Sequence, residues 1–325
     1  MNNAGIAGSG ADVTDVMMNT NYEGPKRVTD AFVGLIDPKE GRVVNTSSGA
    51  ASWWLSNQDA NTKEVYTNPN ISWEVLDAII QADVAAKNFG KGFSSAYGLS
   101  KAALCALTIV QAKTFPNLKI TSLSPGFVDT PLAAGVNSSS KITPEKGCTS
   151  ALKCLFQDVV SGAYYGSDGL RSPMTIGRDP GMPEYQGEAN PDPARYAKPN
   201  EKSVFDQMIK HILVTGASSG IGLALCKLLI RDHSCYVYLG SRNVAKGETA
   251  KRMILEEVPD KANMIEVIQI DVGSDDSVQA AAKGLRDRGN GFNIYNLPVT
   301  NISIIFWTFF RCETLCSCQQ CWYWF

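Results

Sequence analysis

Short apolar runs alternate with stretches of helical apolar spacing along this chain, and the alternation predicts strands and helices in turn. After residue 205, short runs predict strands at Ile212–Thr215, Tyr236–Leu239 and Ile265–Ile270. Each run precedes a stretch with the apolar spacing of a helix, at Ile221–Arg231, Val244–Glu257 and Asp275–Arg288. A strand–helix unit that repeats in this way is typical of a parallel sheet with crossover helices.

The first 185 residues show the same alternation with longer segments. Helices are predicted at Val16–Leu35, Ser94–Phe115 and Thr143–Phe156, and strands at Arg42–Thr46, Lys119–Leu123 and Ala163–Gly166. Between these elements, Ser52–Phe93 is too long and too mixed for a plain loop, which indicates a functional insertion. Together the two regions predict an α/β fold, a Rossmann-like doubly wound parallel sheet with helices on both faces.

Two changes in composition divide the chain into four parts. Residues 178–202 are rich in proline, glycine and charge, which predicts a linker at 186–204 between two portions of one domain, 1–185 and 205–297. Residues 298–325 form an atypical tail that is dense in cysteines and aromatic residues. The tail cysteines lack the paired CxxC spacing of a zinc site, so no metal is expected.

Charge and composition exclude several classes of function. The chain has 30 basic and 32 acidic residues, a net charge of −2, which gives no bulk attraction to nucleic acid or to an anionic membrane. No apolar run reaches the length of a membrane-spanning helix, and residues 1–10 lack the pattern of a secretory signal. Nine cysteines without framework spacing fit reduced thiols, so a cytoplasmic location without nucleic-acid or membrane partners is expected.

A glycine-rich sequence, TGASSGIG at 215–222, lies between a predicted strand and a predicted helix. A backbone that turns sharply and approaches a pyrophosphate requires residues without a Cβ, which here are Gly216, Gly220 and Gly222. The amino end of the following helix offers free N–H groups and a partial positive charge to phosphates. The sequence therefore predicts a dinucleotide site, and a plain glycine-rich turn is the alternative.

The kind of dinucleotide depends on the end of the second strand in this region. An acidic residue there would bind the ribose 2′-hydroxyl of NAD, whereas an arginine favours the 2′-phosphate of NADP. Here the strand is followed by Ser241 and Arg242, without a carboxylate. Because the guanidinium of Arg242 can clamp a phosphate, NADP(H) is favoured, and a solvated surface arginine is the alternative.

A tyrosine and a lysine four residues apart, Tyr97 and Lys101, begin a predicted helix and would share one of its faces. A free tyrosine has a pKa of about 10, and a nearby ammonium stabilises its phenolate toward the range useful for proton transfer. Such a pair also arises by chance on amphipathic helices. Ser48, just past the strand Arg42–Thr46, adds a hydroxyl at the carboxyl edge of a parallel sheet, where ligands bind.

Several motifs taken together resemble one family. They are NNAG at 2–5, TNYEG around Asn21, RVVNTSS at 42–48, SAYGLSK at 95–101, SPGFVDT at 124–130 and TGASSGIG at 215–222. The chain resembles a short-chain dehydrogenase/reductase, most closely the carbonyl-reductase-like branch. The resemblance implies an enzyme that uses NADPH to reduce a ketone or aldehyde, with a small carbonyl or alcohol compound as its substrate. The long segment before Tyr97 is similar to the insertion of that branch and implies a monomer.

The resemblance also implies roles for individual residues. Tyr97 resembles the acid/base, and Lys101 resembles the group that lowers its pKa. Ser48 resembles the hydroxyl that polarises the carbonyl, and Asn21 the residue that holds a water in a proton relay. Cofactor contacts are implied for Asn3, Ala4, Gly5, Pro125, Gly126, Val128, Thr130, Gly216, Ser218, Gly220, Ile221, Gly222, Arg242, Asp271 and Val272.

The order of the motifs departs from that family, in which the glycine-rich motif comes first and the tyrosine later. Here the back of a reductase precedes its front, and Phe292–Leu297 resembles the strand that leads into NNAG. A circularly permuted order is one account. The other is a chain fused from two neighbouring reductase copies, which the break between a central strand and its cofactor loop favours. This second account allows a non-catalytic hybrid chain that keeps the motifs without turnover.

Overall fold

A computed structural model of the chain describes residues 1–7, 11–87, 89, 95–133, 139–175 and 209–291. The strands are β1 (Arg42–Thr46), β2 (Lys119–Leu123), β3 (Tyr164–Tyr165), β4 (Arg171–Ser172), β5 (His211–Val214), β6 (Tyr236–Ser241) and β7 (Ile265–Gln269). The first helices are α1 (Ala11–Met18), α2 (Gly24–Phe32), α3 (Gly49–Ser56), α4 (Ala60–Thr67), α5 (Trp73–Ala85) and α6 (Ser95–Thr114). They are followed by α7 (Thr149–Phe156), α8 (Gly220–Arg231), α9 (Val244–Glu257) and α10 (Asp275–Gly291). A π-helical turn spans Asn19–Glu23, and short 3-10 segments lie at Val33–Leu35, Pro131–Ala133, Lys146–Cys148 and Pro259–Met264.

The strands form two sheets in which the main pairings are parallel. One sheet has the order β1-β2-β3-β4, and its short β3–β4 pair is antiparallel. The other sheet has the order β5-β6-β7, with both pairs parallel. A parallel pair requires a crossover connection, which a helix supplies between β5 and β6 and again between β6 and β7.

The first two residues of the chain join the two sheets. Asn2 pairs with β1, because its N–H donates to the Val44 carbonyl at 2.8 Å and its carbonyl accepts from the Thr46 N–H at 2.9 Å. Met1 pairs with the other sheet: its α-amino group donates to a carbonyl of β5, and its carbonyl accepts from the Thr215 N–H at 3.1 Å. These two residues therefore take the place of a strand between β5 and β1.

Helices cover both faces of the joined sheets. Successive residues of a strand point to opposite faces, and β1 shows the consequence. Val44 lies in a buried cluster with side chains of α7, α8 and α9, whereas Val43 lies in a cluster with α6. In the second sheet, Ile268 packs against α2 and α10. The predicted α/β fold, a parallel sheet with helices on both faces, is confirmed.

The segment that the sequence predicts as an insertion is largely helical over its described residues, 52–87 and 89, and packs against α6. Leu76 and Ile80 of α5 and Tyr66 of α4 are fully buried in one cluster with α6 side chains. Tyr22 of the π-helical turn stacks on Trp73, with 5.4 Å between the ring centres. The insertion therefore covers a face of α6 with apolar contacts.

The elements that differ from the sequence prediction include the following three. The helix predicted at Val16–Leu35 begins earlier, at Ala11, and contains the π-helical turn before it ends in a 3-10 turn. The helix predicted at Thr143–Phe156 begins as an α-helix only at Thr149, after another 3-10 turn. The antiparallel strand Arg171–Ser172 is too short to show a period in the sequence, so the pattern does not predict it.

Some predicted features lie outside the described residues: the strand Phe292–Leu297, the linker 186–204 and the tail 298–325 with its cysteines. Within the described ranges, five cysteines are buried free thiols: Cys105, Cys148, Cys154, Cys226 and Cys235. No helix in this part of the chain combines the length and the apolarity that a membrane span requires.

Candidate active site

The predicted catalytic side chains lie where the end of β1 meets the start of α6. Tyr97 and Lys101 are one turn apart on α6, and the Lys101 Nζ is 5.7 Å from the centre of the Tyr97 ring. The same Nζ donates to the Thr46 carbonyl at 2.9 Å, so the last residue of β1 holds the lysine. Ser48 caps α3, because its Oγ accepts from the Ala50 N–H at 3.2 Å. Its hydroxyl also lies close enough to the Tyr97 phenol to lower the pKa of that group.

Burial dominates the proton affinities of the tyrosine and the lysine. It raises the pKa of Tyr97 above its ordinary value, while the hydrogen bond with Ser48 acts in the opposite direction. It lowers the pKa of Lys101 to about 8, because an ammonium loses its hydration inside the protein. The sequence predicts a phenol whose pKa the lysine lowers, but in the structure desolvation is the larger effect on Tyr97. The charge of Lys101 is present at neutral pH and is lost as the pH rises above about 8.

Asn21 is fully buried in the π-helical turn. Its Oδ1 accepts from the Ile6 N–H at 2.9 Å, and its Nδ2 donates to the Ile6 carbonyl at 2.9 Å and to the Ser100 Oγ at 3.0 Å. Ser100 in turn donates to the Tyr97 carbonyl at 2.8 Å. Asn21 therefore connects the segment after NNAG to the first turns of α6, and π-helical turns are frequent at functional sites.

The glycine-rich loop has the shape that a bound phosphate requires. Gly216 and Gly220 have positive φ angles of 63° and 56°, and a Cβ on Gly216 would lie 2.7 Å from the Ala4 Cα. A Cβ on Gly222 would lie 2.5 Å from the Gly216 carbonyl oxygen. Ser219, the N-cap residue of α8, makes no side-chain bond to the first turn. The N–H groups of that turn are therefore available to an anion, and the loop fits a pyrophosphate.

The NNAG segment lies directly against the glycine-rich loop, although the two are far apart in the sequence. The Thr215 Oγ1 accepts from the N–H groups of Asn3 at 3.0 Å and Ala4 at 3.1 Å. The Asn3 Nδ2 donates to the Thr215 carbonyl at 3.2 Å. At the end of the segment, a Cβ on Gly5 would lie 3.3 Å from the Lys101 Nζ. NNAG therefore links the phosphate loop to the lysine.

The segment SPGFVDT also lies beside the glycine-rich loop. A Cβ on Gly220 would lie 3.2 Å from the Thr130 Cγ2, which places the end of this segment at the start of α8. Gly126 has a φ angle of 84° and turns the chain, while Pro125 and Val128 are buried. The structure thus brings these residues to the same edge of the sheet as Tyr97 and Lys101.

The remaining predicted cofactor residues follow β6 and β7 or belong to the glycine-rich loop. Arg242 is exposed at the end of β6, and no described residue bonds its side chain. The Asp271 Oδ1 accepts from a main-chain N–H of its own turn at 3.0 Å, and Val272 is buried against α2. Ser218 and Ile221 are half-buried in the loop.

Two hydroxyl residues that support the site are not singled out by the sequence patterns. Thr215 supports NNAG through the bonds described above, and the Ser47 Oγ donates to the Lys101 carbonyl at 2.9 Å. Both stand at the end of a buried strand, directly before a residue of the site. A buried hydroxyl in that position is the signal that could have identified them.

Comparison with known proteins finds similarity over parts of this chain. Residues 210–297 match the family model for short chain dehydrogenases. The chain is 30% identical over 168 residues to (+)-neomenthol dehydrogenase of Arabidopsis thaliana, covering 47% of this chain and 55% of the relative. It is 26% identical over 164 residues to salutaridine reductase of Papaver somniferum, covering 47% of this chain and 52% of the relative. The chain spans about half the length of these curated relatives.

Solved structures show partial similarity to this chain. Salutaridine reductase from Papaver somniferum is 26% identical and covers 49% of this chain and 56% of its own, with a TM-score of 0.42. NADPH-bound carbonyl reductase from chicken fatty liver is 22% identical. The match covers 52% of this chain and 62% of the reductase chain, with a TM-score of 0.35. The fold assignment therefore comes from the strand order and the helix packing of this chain itself.

We expect Gly216→Ala to lower the free energy of unfolding by about 1–3 kcal/mol, because alanine is strained at a positive φ. The new Cβ would also meet the Ala4 Cα at 2.7 Å. Gly284→Ala in α10 is the matched control, since a Cβ there meets nothing within 4 Å. Alanine should stabilise that helix by about 0.5–1 kcal/mol. Urea denaturation measures both variants, and a Gly216→Ala protein as stable as the unmodified chain would contradict the close approach.

Proposed function

We propose that this protein is an NADPH-dependent oxidoreductase of the short-chain dehydrogenase/reductase family that reduces a ketone or aldehyde to an alcohol. The observation that carries the proposal is the contact of Ser48 with Tyr97 beside Lys101, with Gly5 linking the lysine to the phosphate loop. The relatives include a neomenthol dehydrogenase and a salutaridine reductase, whose names support redox chemistry on a small molecule.

The chemistry follows from what each side chain can do. Tyr97 donates its proton to the substrate carbonyl oxygen, and Ser48 donates a hydrogen bond to the same oxygen as it gains negative charge. Lys101, charged below a pH of about 8, stabilises the phenolate that remains. Asn21 holds the start of α6 and, by the family resemblance, a water of the proton relay. When bound, the nicotinamide cofactor supplies the hydride.

The residues that would hold the cofactor form a continuous series along the carboxyl edge of the sheet. Gly216, Gly220 and the first turn of α8 would take the pyrophosphate. Asp271 and Val272 would lie on the adenine side. Arg242 would bind the 2′-phosphate, because it is exposed at the end of β6 with its guanidinium unengaged by the described residues. Asn3, Ala4 and Gly5 would form a loop on the adenosine side. On the nicotinamide side, the contacts would come from Pro125, Gly126, Val128 and Thr130.

We also propose that the two parts of the chain form one domain in permuted order and that this domain is a cytoplasmic monomer. Arg27 of α2 donates to the Val272 carbonyl at 2.6 Å and pairs with Asp275 at 2.6 Å. Asn19 donates to the main chain of the same loop at 3.0 Å. These bonds across the two parts support one domain. The insertion supports a monomer because it covers a face of α6, and the free thiols fit a reducing compartment.

A second candidate is a non-catalytic hybrid chain. It is favoured by the short strand pairing between the two sheets: within the described ranges, Met1 and Asn2 alone pair between β5 and β1. Such a chain would keep the motifs without a closed site. Turnover of NADPH by the purified full chain separates the two candidates, and no oxidation of NADPH with any ketone or aldehyde would favour the hybrid.

We expect Tyr97→Phe to reduce turnover about 10²–10⁴-fold while NADPH binding persists, because the change removes only the proton donor. NADPH absorbance measures turnover, and NADPH fluorescence measures binding. Tyr66→Phe is the matched control: it removes a buried phenol that bonds Asp83 at 3.0 Å in the insertion, away from the site. Full turnover in Tyr97→Phe would exclude the assigned role.

We expect Arg242→Ala to raise the KM for NADPH and to leave the KM for NADH nearly unchanged, because the guanidinium bonds only the 2′-phosphate. Arg252→Ala is the control, since Arg252 is also exposed but lies within α9. Steady-state kinetics measure the KM for NADPH and the KM for NADH in both variants. An equal loss with NADPH and NADH would mean that Arg242 supports the structure instead.

We expect a protein truncated after Pro298 to unfold at a urea concentration at least as high as the full chain and to keep NADPH binding. The reason is that the family resemblance assigns no strand to the tail. Truncation after Gly291 is the comparison, because it also removes the predicted strand Phe292–Leu297 and should weaken both properties. If the shorter tail deletion already abolishes folding or binding, the tail belongs to the domain.

A further inference from the structure

A buried hydroxyl and a buried thiol connect β1 to α6 behind the proposed catalytic groups. The Ser47 Oγ donates to the Lys101 carbonyl at 2.9 Å and accepts from the Cys105 Sγ at 3.1 Å. Ser47 is 2% exposed and Cys105 is 1% exposed, so neither can touch a substrate. The two side chains therefore act within the protein, on the contact between the strand end and the helix.

These bonds complete a series that runs along one face of α6. Thr46 accepts from the Lys101 Nζ at 2.9 Å, and Ser47 donates to the Lys101 carbonyl at 2.9 Å. The next residue, Ser48, lies close enough to the phenol of Tyr97 to lower its pKa. Two consecutive residues at the end of β1 are thus bonded to the helix, directly before the residue that lies next to Tyr97. In an α-helix the Lys101 carbonyl also accepts from the N–H of Cys105, so Ser47 adds a second bond to an oxygen that is already engaged.

We propose that Ser47 and Cys105 are positioning residues that hold the end of β1 against α6 and thereby fix the contact between Ser48 and Tyr97. The expected effect on turnover rests on the proposed function. The expected effect on the position of Ser48 relative to Tyr97 rests on geometry alone. Proton transfer is sensitive to placement, and a displacement of about 1 Å can reduce turnover about 10²-fold.

The chemistry of both groups suits this role. Ser47 is needed as donor and acceptor at once, since it gives its proton to the Lys101 carbonyl and receives one from the thiol. Burial raises the pKa of Cys105, so the thiol stays protonated at neutral pH and remains a donor. Removal of the Ser47 hydroxyl would take away the acceptor that lies 3.1 Å from the buried thiol and the second donor of the Lys101 carbonyl, a loss that a local shift of the strand end would relieve.

The test compares Ser47→Ala with variants that separate positioning from stability. Ser47→Thr keeps the hydroxyl, and Cys105→Ala removes only the thiol donor. Thr108→Val is the matched control, because Thr108 is fully buried on α6 and also bonds β1, through the Asn45 Nδ2 at 3.0 Å, one turn further along. The full chain carries ¹³Cζ-labelled tyrosine, and the resonance of Tyr97 is assigned by its loss in Tyr97→Phe.

We expect Ser47→Ala to shift the Tyr97 resonance and to reduce kcat by about 10–100-fold, with the KM for NADPH changed less than about twofold. Cys105→Ala should act in the same direction with a smaller effect, while Ser47→Thr and Thr108→Val should resemble the unmodified protein. A Tyr97 resonance that is the same in Ser47→Ala, Cys105→Ala and the unmodified chain would overturn the inference. If the unmodified chain shows no turnover, the proposed function fails, but the resonance still decides the positioning role.

Discussion

The main-chain pairing of Met1 and Asn2 between β5 and β1 is the interaction on which the rest of the structure depends. Strand edges in the middle of a sheet carry N–H and C=O groups that need partners once they are buried. The two residues bond a strand on each side, and both β1 and β5 come from buried cores. Without this pairing, each sheet would present an open apolar edge, which favours aggregation over folding.

The geometry of the candidate site follows from the same pairing. Once Asn2 lies beside β1, Asn3 and Ala4 reach the Thr215 hydroxyl, and Gly5 lies close to Lys101. The glycine-rich loop and the pair of Tyr97 and Lys101 are thereby placed at one edge, although they are far apart in the sequence. The carboxyl edge of a parallel sheet is where ligands bind in such folds, so one backbone contact sets the relation between both halves of the site.

Helix α6 combines the apolar packing of the fold with the charge of the site. Its buried side chains face the insertion and the first sheet, while Lys101 stays in this environment through its bond to Thr46. Burial disfavours the charged form of each side chain, so it lowers the pKa of Lys101 and raises the pKa of Tyr97. A side chain whose charge is disfavoured by burial responds strongly to a nearby opposite charge, because screening is weak there. The proton affinities of both side chains are therefore set by their burial together with any charge that comes close to them.

The local pattern of the sequence was sufficient for most of the fold. Strands such as Lys119–Leu123 and helices such as Val244–Glu257 agree with the structure residue for residue, because apolar period and turn residues act over short distances. The pattern did not show the π-helical turn around Asn21, since that turn depends on bonds to Ile6 and Ser100. It also did not show the direction in which burial moves the pKa of Tyr97, because desolvation depends on neighbours from several elements.

By itself, the sequence determined the type and order of most strands and helices outside the insertion, and it supplied the candidate site residues, such as Tyr97, Lys101 and the glycines at 216–222. Glycine at a strand–helix turn and a tyrosine one turn from a lysine are readable because both relations lie within a few residues. The tertiary structure alone decided which distant segments meet, as in the bonds of Thr215 to Asn3 and of Ser47 to α6. Such contacts join residues far apart in the chain, and only the packing of the buried elements brings them within hydrogen-bond distance.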